Sequence, residues 1–402
     1  MAMSLADLLL PLFLLVFLTR SRSQCPTNPS AIVNDTQVLL SLRDRLGIKV
    51  WNETANPRAW RGVEWSSDNQ VEGLALSRFN LSGVFPATWA ELPSLARLDL
   101  SQNGLSSLEV PCKNTQLNLL NLSSNSLQEF PEPREFGKPG PQWELLNSGQ
   151  TPKNGLSGSI PETFGEMTNL TRLDISYNRF TGDLPDIWSK NLELRYMRIT
   201  NNSLQGGLPP SLRRLRKLSD LRAAYNSLSG PLELEDGDFA SIEVLHLGLN
   251  WFSGTIPATL GGLRNLKILV LTGNRFSGTI PGELSKLSHL QLLFLMGNRL
   301  SGDIPPELGN WSNIREIWLD SNDLTGTIPG ELSKLSHLQQ LVLSSNDIGG
   351  ELPSGLSNCT ELVGLSLNQN KFSGNLPDSF RNLSHLLLLS LSSNDLKHLY
   401  KG

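Results

Sequence analysis

The sequence predicts an α/β solenoid of about fourteen stacked coils sharing one long parallel, concave β-sheet. Three observations carry this prediction. Lining up L-x-L-x-x-N places asparagines at Asn154, Asn178, Asn202, Asn226, Asn250, Asn274, Asn298, Asn322, Asn346, Asn370 and Asn394, with every interval 24 residues. Upstream, Asn103 and Asn125 continue the series at irregular spacing, and Phe79 fills the same slot in the first unit. Gly (34) and Pro (24) together make up about one residue in seven of 402, so turns must recur along the chain. Length alone would allow two or three domains. The period replaces them with one stack.

Each fixed position in a coil has a physical reason. Leu269 and Leu271, two apart on a short strand, point to one side and enter the core. Asn274 follows where the chain turns, and its amide both donates and accepts, so stacked asparagines satisfy backbone groups inside the bend. Phe276 fills the core, Gly278 permits a tight backbone, and Ile280-Pro281 makes an extended stretch that cannot continue a helix. Leu284, Leu287 and Leu290 close the coil on a loose helical turn. No unit buries its own leucines; stacking at about 5 Å per strand does so.

The first 23 residues read as a secretory leader. Leu8 to Leu18 is apolar except for one proline, too short for a membrane span, which needs about 20 residues. Ser21 and Ser23 suit cleavage before Gln24, although Met1 to Asp7 lacks the usual Lys or Arg. No other segment is long and apolar enough to span a bilayer. Sequons agree with export at Asn34, Asn52, Asn80, Asn121, Asn169, Asn310, Asn358 and Asn382, and these are the expected glycosylation sites. A ninth, Asn201, sits beside a strand of the expected binding face. Hydrophobic residues at 39% and charged residues at 18% fit a folded chain. The formal net charge of −4 disfavours nucleic-acid binding.

The run from Leu266 to Pro281, L-x-x-L-x-L-x-x-N-x-x-S-G-x-I-P, resembles the plant-specific leucine-rich repeat. That family includes receptor-like kinase ectodomains, receptor-like proteins and secreted inhibitors of fungal polygalacturonases. The resemblance covers residues 74–395 and implies a leucine-rich-repeat superhelix. Asp35 to Val63, with Leu39, Leu40, Trp51, Trp60 and Gly62, resembles the family's helical N-terminal cap. The expected domains are therefore a leader (1–23), a cap (24–73) and repeats (74–402). Caps of this family usually carry a cysteine pair, and here Arg58 and Trp65 stand in the two cysteine slots. Cys112 and Cys359 lie some ten coils apart, on the order of 50 Å, whereas a disulfide needs Cα atoms within about 7 Å. Cys25 has no obvious partner. No intrachain disulfide is expected, and Cys112 and Cys359 read as small buried residues.

The pattern breaks between Ser126 and Lys153, where one interval stretches to 29 residues. This is either an irregular coil or a protruding loop that touches a ligand. Glu233, Glu235, Asp236 and Asp238 lack the order of a calcium loop and read as a solvated convex edge. Residues 278–291 and 326–339 are identical, a two-coil duplication that places His289 and His337 in equivalent convex slots, with His385 a looser third.

No catalytic constellation is present: no phosphate loop, kinase signature, nucleophile elbow or zinc-protease motif. No cofactor or metal is expected. The slot four before the ladder asparagine reads Asp174, Arg198, Arg222, His246, Val270, Phe294, Trp318 and Val342, and strand alternation points it outward. Val270, Phe294, Trp318 and Val342 form an exposed apolar column, with Met296, Leu249 and Trp251 nearby. Arg198 and Arg222, with Arg172 and Tyr177, add a basic shoulder able to pair with a carboxylate.

The resemblance implies an extracellular recognition module in cell-surface signalling or defence. Its ligand would be a peptide or protein, its partner a membrane co-receptor kinase. Family receptors often read peptide C-termini with an R-x-R pair, which is absent from the strand slots here. The chain stops eight residues beyond Asn394, so it is expected to carry no kinase or membrane span and to leave Leu386 to Leu391 partly uncovered. The alternative is a secreted inhibitor of microbial cell-wall enzymes, although such inhibitors are shorter and have cysteine-paired caps.

Overall fold

The computed structural model describes residues 34–52, 56–109, 117–127, 143–146 and 155–397. The leader segment, Cys25 and Cys112 lie outside these residues. Residues 35–402 form one compact unit. It begins with helix α1 (Asp35–Leu46), which buries Val38, Leu39 and Leu42 on one face. The chain leaves the helix through Gly47 at φ 62°, the left-handed geometry that favours glycine at a helix end. Asp35 at the other end accepts the Val71 amide at 2.6 Å and ties the helix to the sheet. Below it Trp51 and Trp60 stack with ring centroids 5.1 Å apart. Their indole N–H groups donate to the carbonyls of Arg61 and Asn52.

The principal sheet has fifteen strands in sequence order. We number them β1 (Val63–Trp65), β2 (Val71–Ala75), β3 (Arg97–Asp99), β4 (Leu119–Asn121), β5 (Trp143–Leu146), β6 (Leu170–Asp174), β7 (Tyr196–Arg198), β8 (Asp220–Arg222), β9 (Val244–His246), β10 (Ile268–Val270), β11 (Leu292–Phe294), β12 (Glu316–Trp318), β13 (Gln340–Val342), β14 (Gly364–Ser366) and β15 (Leu388–Ser390). β1 pairs antiparallel with β2. From β2 onward neighbours are parallel, one strand per predicted unit, for instance Leu269 beside Leu293 and Phe294 beside Trp318. In the central three-residue strands the middle residue is the core leucine: Leu221, Leu245, Leu269, Leu293 and Leu341 have no exposed surface.

The asparagine ladder has the predicted chemistry. Asn274 Nδ2 donates to the carbonyls of Leu247, Leu271 and Thr272 at 3.1, 3.0 and 3.3 Å, and its Oδ1 accepts the Phe252 amide at 2.9 Å. One side chain thus serves two adjacent coils, and Asn226, Asn250, Asn322 and Asn346 repeat the arrangement. Buried backbone groups at the bend need such partners because water cannot reach them.

Beyond the ladder the structure adds something the repeat does not announce. Short strands follow each asparagine and pair into small parallel sheets, the longest joining Ser229–Pro231, Trp251–Thr255, Arg275–Gly278, Arg299–Asp303 and Asp323–Thr325. Gly278 sits there at φ 74°, the geometry behind the recurring glycine. Short 3₁₀ turns then close most coils, most of them opening after a proline, as at Pro281 and Pro329. Coils approach closely on this side: a Cβ built on Gly309 would lie 2.4 Å from the Glu331 carbonyl oxygen.

Several sequence expectations need correction. In the irregular unit, β5 stands beside β4 and β6, with Glu144 opposite Arg172 and Leu145 opposite Leu173. Its strand therefore begins four residues upstream of the place the 24-residue period assigns. Of the five extra residues, one precedes the strand and four follow it, and the sheet is unbroken. The chain has rejoined the repeat at Gly155, whose amide donates to the Leu127 carbonyl at 2.9 Å. The rest of the irregular stretch, and Asn154, lie outside the described residues. The acidic run is only partly solvated, because Asp238 is buried against Arg213 at 3.3 Å. Glu235 pairs with Arg214 at the surface.

Arg58 and Trp65, the occupants of the two cysteine slots, face each other. The guanidinium lies 5.8 Å from the indole centroid, a cation–π contact in place of the cysteine pair that the resemblance implies. Cys359 is buried and free; its Sγ donates to the Leu332 carbonyl at 3.4 Å, and burial pushes the thiol up to about 11. Leu387, Leu388 and Leu389 in the last described coil are exposed.

Candidate ligand-recognition face

Alternation along three-residue strands gives the principal sheet two outward columns. The one anticipated from sequence is continuous and in register: Asp174, Arg198, Arg222, His246, Val270, Phe294, Trp318 and Val342 stand side by side. The second, six before the ladder asparagine, runs Arg172, Tyr196, Asp220, Val244, Ile268, Leu292, Glu316 and Gln340. Sequence reasoning named only its first member, although the same alternation rule yields the rest. Val244, Ile268 and Leu292 make the apolar patch two columns wide. A third row, two residues past the first column, brings Met296 and Asp320 together on neighbouring coils.

The column is less exposed than its sequence suggests. Val270 is only 7% exposed, because His246 and Phe294 flank it on the adjoining strands and large side chains at about 4.8 Å spacing cover a smaller one between them. Phe294, Met296, Trp318 and Val342 are half-buried. The Phe294 and Trp318 rings touch, with centroids 5.1 Å apart and planes at 45°. Trp251 is half-exposed but belongs to the second row of strands, where the Arg275 guanidinium covers its ring at 4.1 Å. Leu249 and Tyr177 stand on the rim at φ 55° and 58°, both exposed.

The basic shoulder is already partly neutralised. Asp220 lies between the two arginines and pairs with both, at 3.0 Å to Arg198 and 2.9 Å to Arg222. Two guanidiniums thus share one carboxylate, leaving one positive charge in excess. Arg172 stacks over Tyr196 at 5.9 Å. Next in line His246 is half-buried. Burial, with Arg222 beside it, holds its imidazole below the ordinary value, and Nδ1 accepts the Gly248 amide at 3.4 Å.

A lowered histidine pKa has a definite sign: the unfolded chain binds the proton more readily. The stability carried by neutral His246 is complete above the ordinary value near 6.5 and is lost as pH falls through the lower folded value. His246→Gln is expected to narrow the difference in melting temperature between pH 7 and pH 5. An unchanged difference would remove His246 from the acid response.

Of the expected glycosylation sites, Asn34, Asn52, Asn80, Asn310, Asn358 and Asn382 are exposed, while Asn121 and Asn169 are half-buried. Asn121 belongs to β4 in the outward column itself, paired with Asp99. Asn201 is exposed on the rim. His289, His337 and His385 are exposed on the convex side, as expected. Among the described residues no cluster of His, Cys, Asp and Glu is placed to hold a metal, and no helix is long and apolar enough to cross a membrane.

Leucine-rich-repeat family models match residues 240–300 and, separately, 169–191, 193–215, 313–335, 337–359 and 361–383. The chain is 35% identical over 107 residues to Receptor like protein 21 of Arabidopsis thaliana, covering 26% of this chain and 10% of that protein. It is 34% identical over 145 residues to MDIS1-interacting receptor like kinase 1 of the same plant, covering 34% and 14%. The matched part thus spans only a small fraction of these relatives. Among solved structures, the ectodomain of the membrane receptor kinase GASSHO1/SCHENGEN3 of Arabidopsis thaliana, in complex with CASPARIAN STRIP INTEGRITY FACTOR 2, superposes with TM-score 0.77 and 31% identity. That likeness covers 90% of this chain and 47% of the other. PEPR1 bound to AtPEP1 gives 0.67 and 30%, over 90% and 59%. Coil count, asparagine ladder, S-G-x-I-P turn and these matches agree: the chain is built of leucine-rich repeats and is similar to plant receptor-like proteins and receptor kinases.

Proposed function

We propose that this protein is an extracellular recognition module that captures a peptide or protein ligand on its concave sheet and does no chemistry on it. The observation that carries the reading is the patch formed by Val244, Ile268, Leu292, Phe294, Met296 and Trp318. It is apolar, two columns wide, and on a solvent-facing strand surface where a solenoid has no structural use for it. The paired arginines at one end suit a ligand carboxylate. The likeness to the GASSHO1/SCHENGEN3 ectodomain crystallised with CASPARIAN STRIP INTEGRITY FACTOR 2, and to the plant peptide hormone receptor RGFR1 in complex with RGF2, supports a peptide as the ligand class. In this reading the leader exports the chain, and a membrane co-receptor kinase carries the signal onward.

From β7 to β12 is five strand steps, about 24 Å, which an extended segment of roughly seven residues spans. The test is selection of displayed random peptides on the intact protein, followed by affinity measurement. Phe294→Ala combined with Trp318→Ala is expected to weaken the selected peptides about 100-fold, because truncating central aromatic anchors removes most of such binding energy. Melting temperature should change little. Peptides that bind the double variant as tightly as the native protein would overturn this site.

A further inference from the structure

We infer that the concave face seats a positively charged side chain of its ligand over Trp318, between Glu316 and Asp320. The inference rests on the peptide-recognition reading above and specifies what that peptide must carry.

Along the β12 strand and its exit, Glu316, Trp318 and Asp320 occupy successive outward slots, while Ile317 and Leu319 between them are buried. On the neighbouring coil the same slots hold Leu292, Phe294 and Met296. The surface is thus a grid of two rows: three apolar side chains, then a tryptophan flanked by two carboxylates. Gln340, Val342 and Ser344 on the far side bring no charge. Neither Glu316 nor Asp320 forms an ion pair among the described residues. On the same face Asp220 is paired twice, while the buried Asp174 takes the Ser176 amide at 3.2 Å.

Two polar atoms in the grid are also covered without a partner: Oδ1 of Asp320 and Nε1 of Trp318. The remaining Asp320 oxygen accepts a 3.3 Å bond from Ser321. Burial pushes the Asp320 carboxyl above its ordinary value, so the site holds an anion against a desolvation penalty. Such an arrangement suits a guest that supplies the missing charge.

A lysine ammonium or arginine guanidinium fits on every count. It gains from the electron-rich face of Trp318, pairs with the Asp320 carboxylate, and neutralises two like charges flanking one ring. An anionic or apolar guest at this point would leave both carboxylates unpaired. With the arginines of β7 and β8 about 20 Å away, the ligand is read by opposite charges at its two ends.

The experiment uses the peptides selected above. A lysine or arginine is expected at one fixed position of the enriched sequences. Its replacement by glutamine should weaken binding to the native protein about tenfold. The same replacement should cost nothing on the isosteric double variant Glu316→Gln/Asp320→Asn. Enriched peptides that depend on Phe294 and Trp318 but lack a fixed basic position, or whose basic preference survives in the double variant, would overturn the inference and leave peptide recognition standing. Failure to enrich any peptide over the Phe294→Ala/Trp318→Ala protein would overturn both.

Discussion

Asn274→Ala is expected to destabilise the central coils by about 3 kcal/mol, because it strips an acceptor from one coil and donors from two. The Phe252 amide loses the only side chain within reach, and the carbonyls of Leu247 and Leu271 each lose a 3.0–3.1 Å bond. An alanine is too small to fill the bend and carries nothing to offer. In a stacked array the damage should appear first as local opening rather than as a lower global melting point. Amide exchange at Phe252 and its neighbours is the direct readout, with thermal unfolding as the second. A loss below about 1 kcal/mol would mean that water satisfies these groups. Asn274→Asp separates the two roles, since it keeps the acceptor but sets a negative charge against the carbonyls.

Phe276→Ala should cost about 3–5 kcal/mol by leaving a cavity that the rigid neighbouring coils cannot close. Phe276 has no exposed surface and lies against Phe252 with ring centroids 6.3 Å apart and planes at 8°. Phe294→Ala is the informative comparison. The same residue type is only half-buried there and faces out from the sheet. Its truncation is expected to cost about 1 kcal/mol or less, far from the cavity-forming range. Comparable destabilisation by the two substitutions would contradict the division between core and recognition face.

Much of this architecture was legible because the period does the work of tertiary information. Once Leu269 and Leu271 are fixed as core, every equivalent position follows, and so does the register that sets Phe294 beside Trp318. The second row of strands was not legible, since Ser277 and Gly278 show no alternation and their pairing depends on the ladder. Charge pairing was missed for a different reason. Asp220 joins Arg198 from the neighbouring coil, 22 residues away in sequence, and a column read one slot at a time does not reveal a diagonal contact. Val270 was misjudged because alternation gives direction but not coverage, which depends on the size of its neighbours. The strand of the irregular unit stands four residues upstream of the period because four of the five extra residues fall after Leu146, where no repeat residue marks them.

The repeated fourteen-residue stretch is folded twice in the same way, with its 3₁₀ turns at Gly282–Lys286 and Gly330–Lys334. The two histidines nevertheless find different partners, the Arg264 carbonyl for His289 and Glu361 for His337. Identity of sequence sets the backbone, and the adjoining coil sets the contacts. Copying a 48-residue interval, the spacing of the two stretches, therefore inserts two whole steps of the stack at no cost in register. The molecule can be lengthened or shortened like a ruler, in increments of roughly 10 Å for two strand spacings. Two coils inserted between β8 and β12 would change the span between the arginine end and the carboxylate end without altering either. Ligand length and ligand chemistry thereby become separately adjustable in this scaffold.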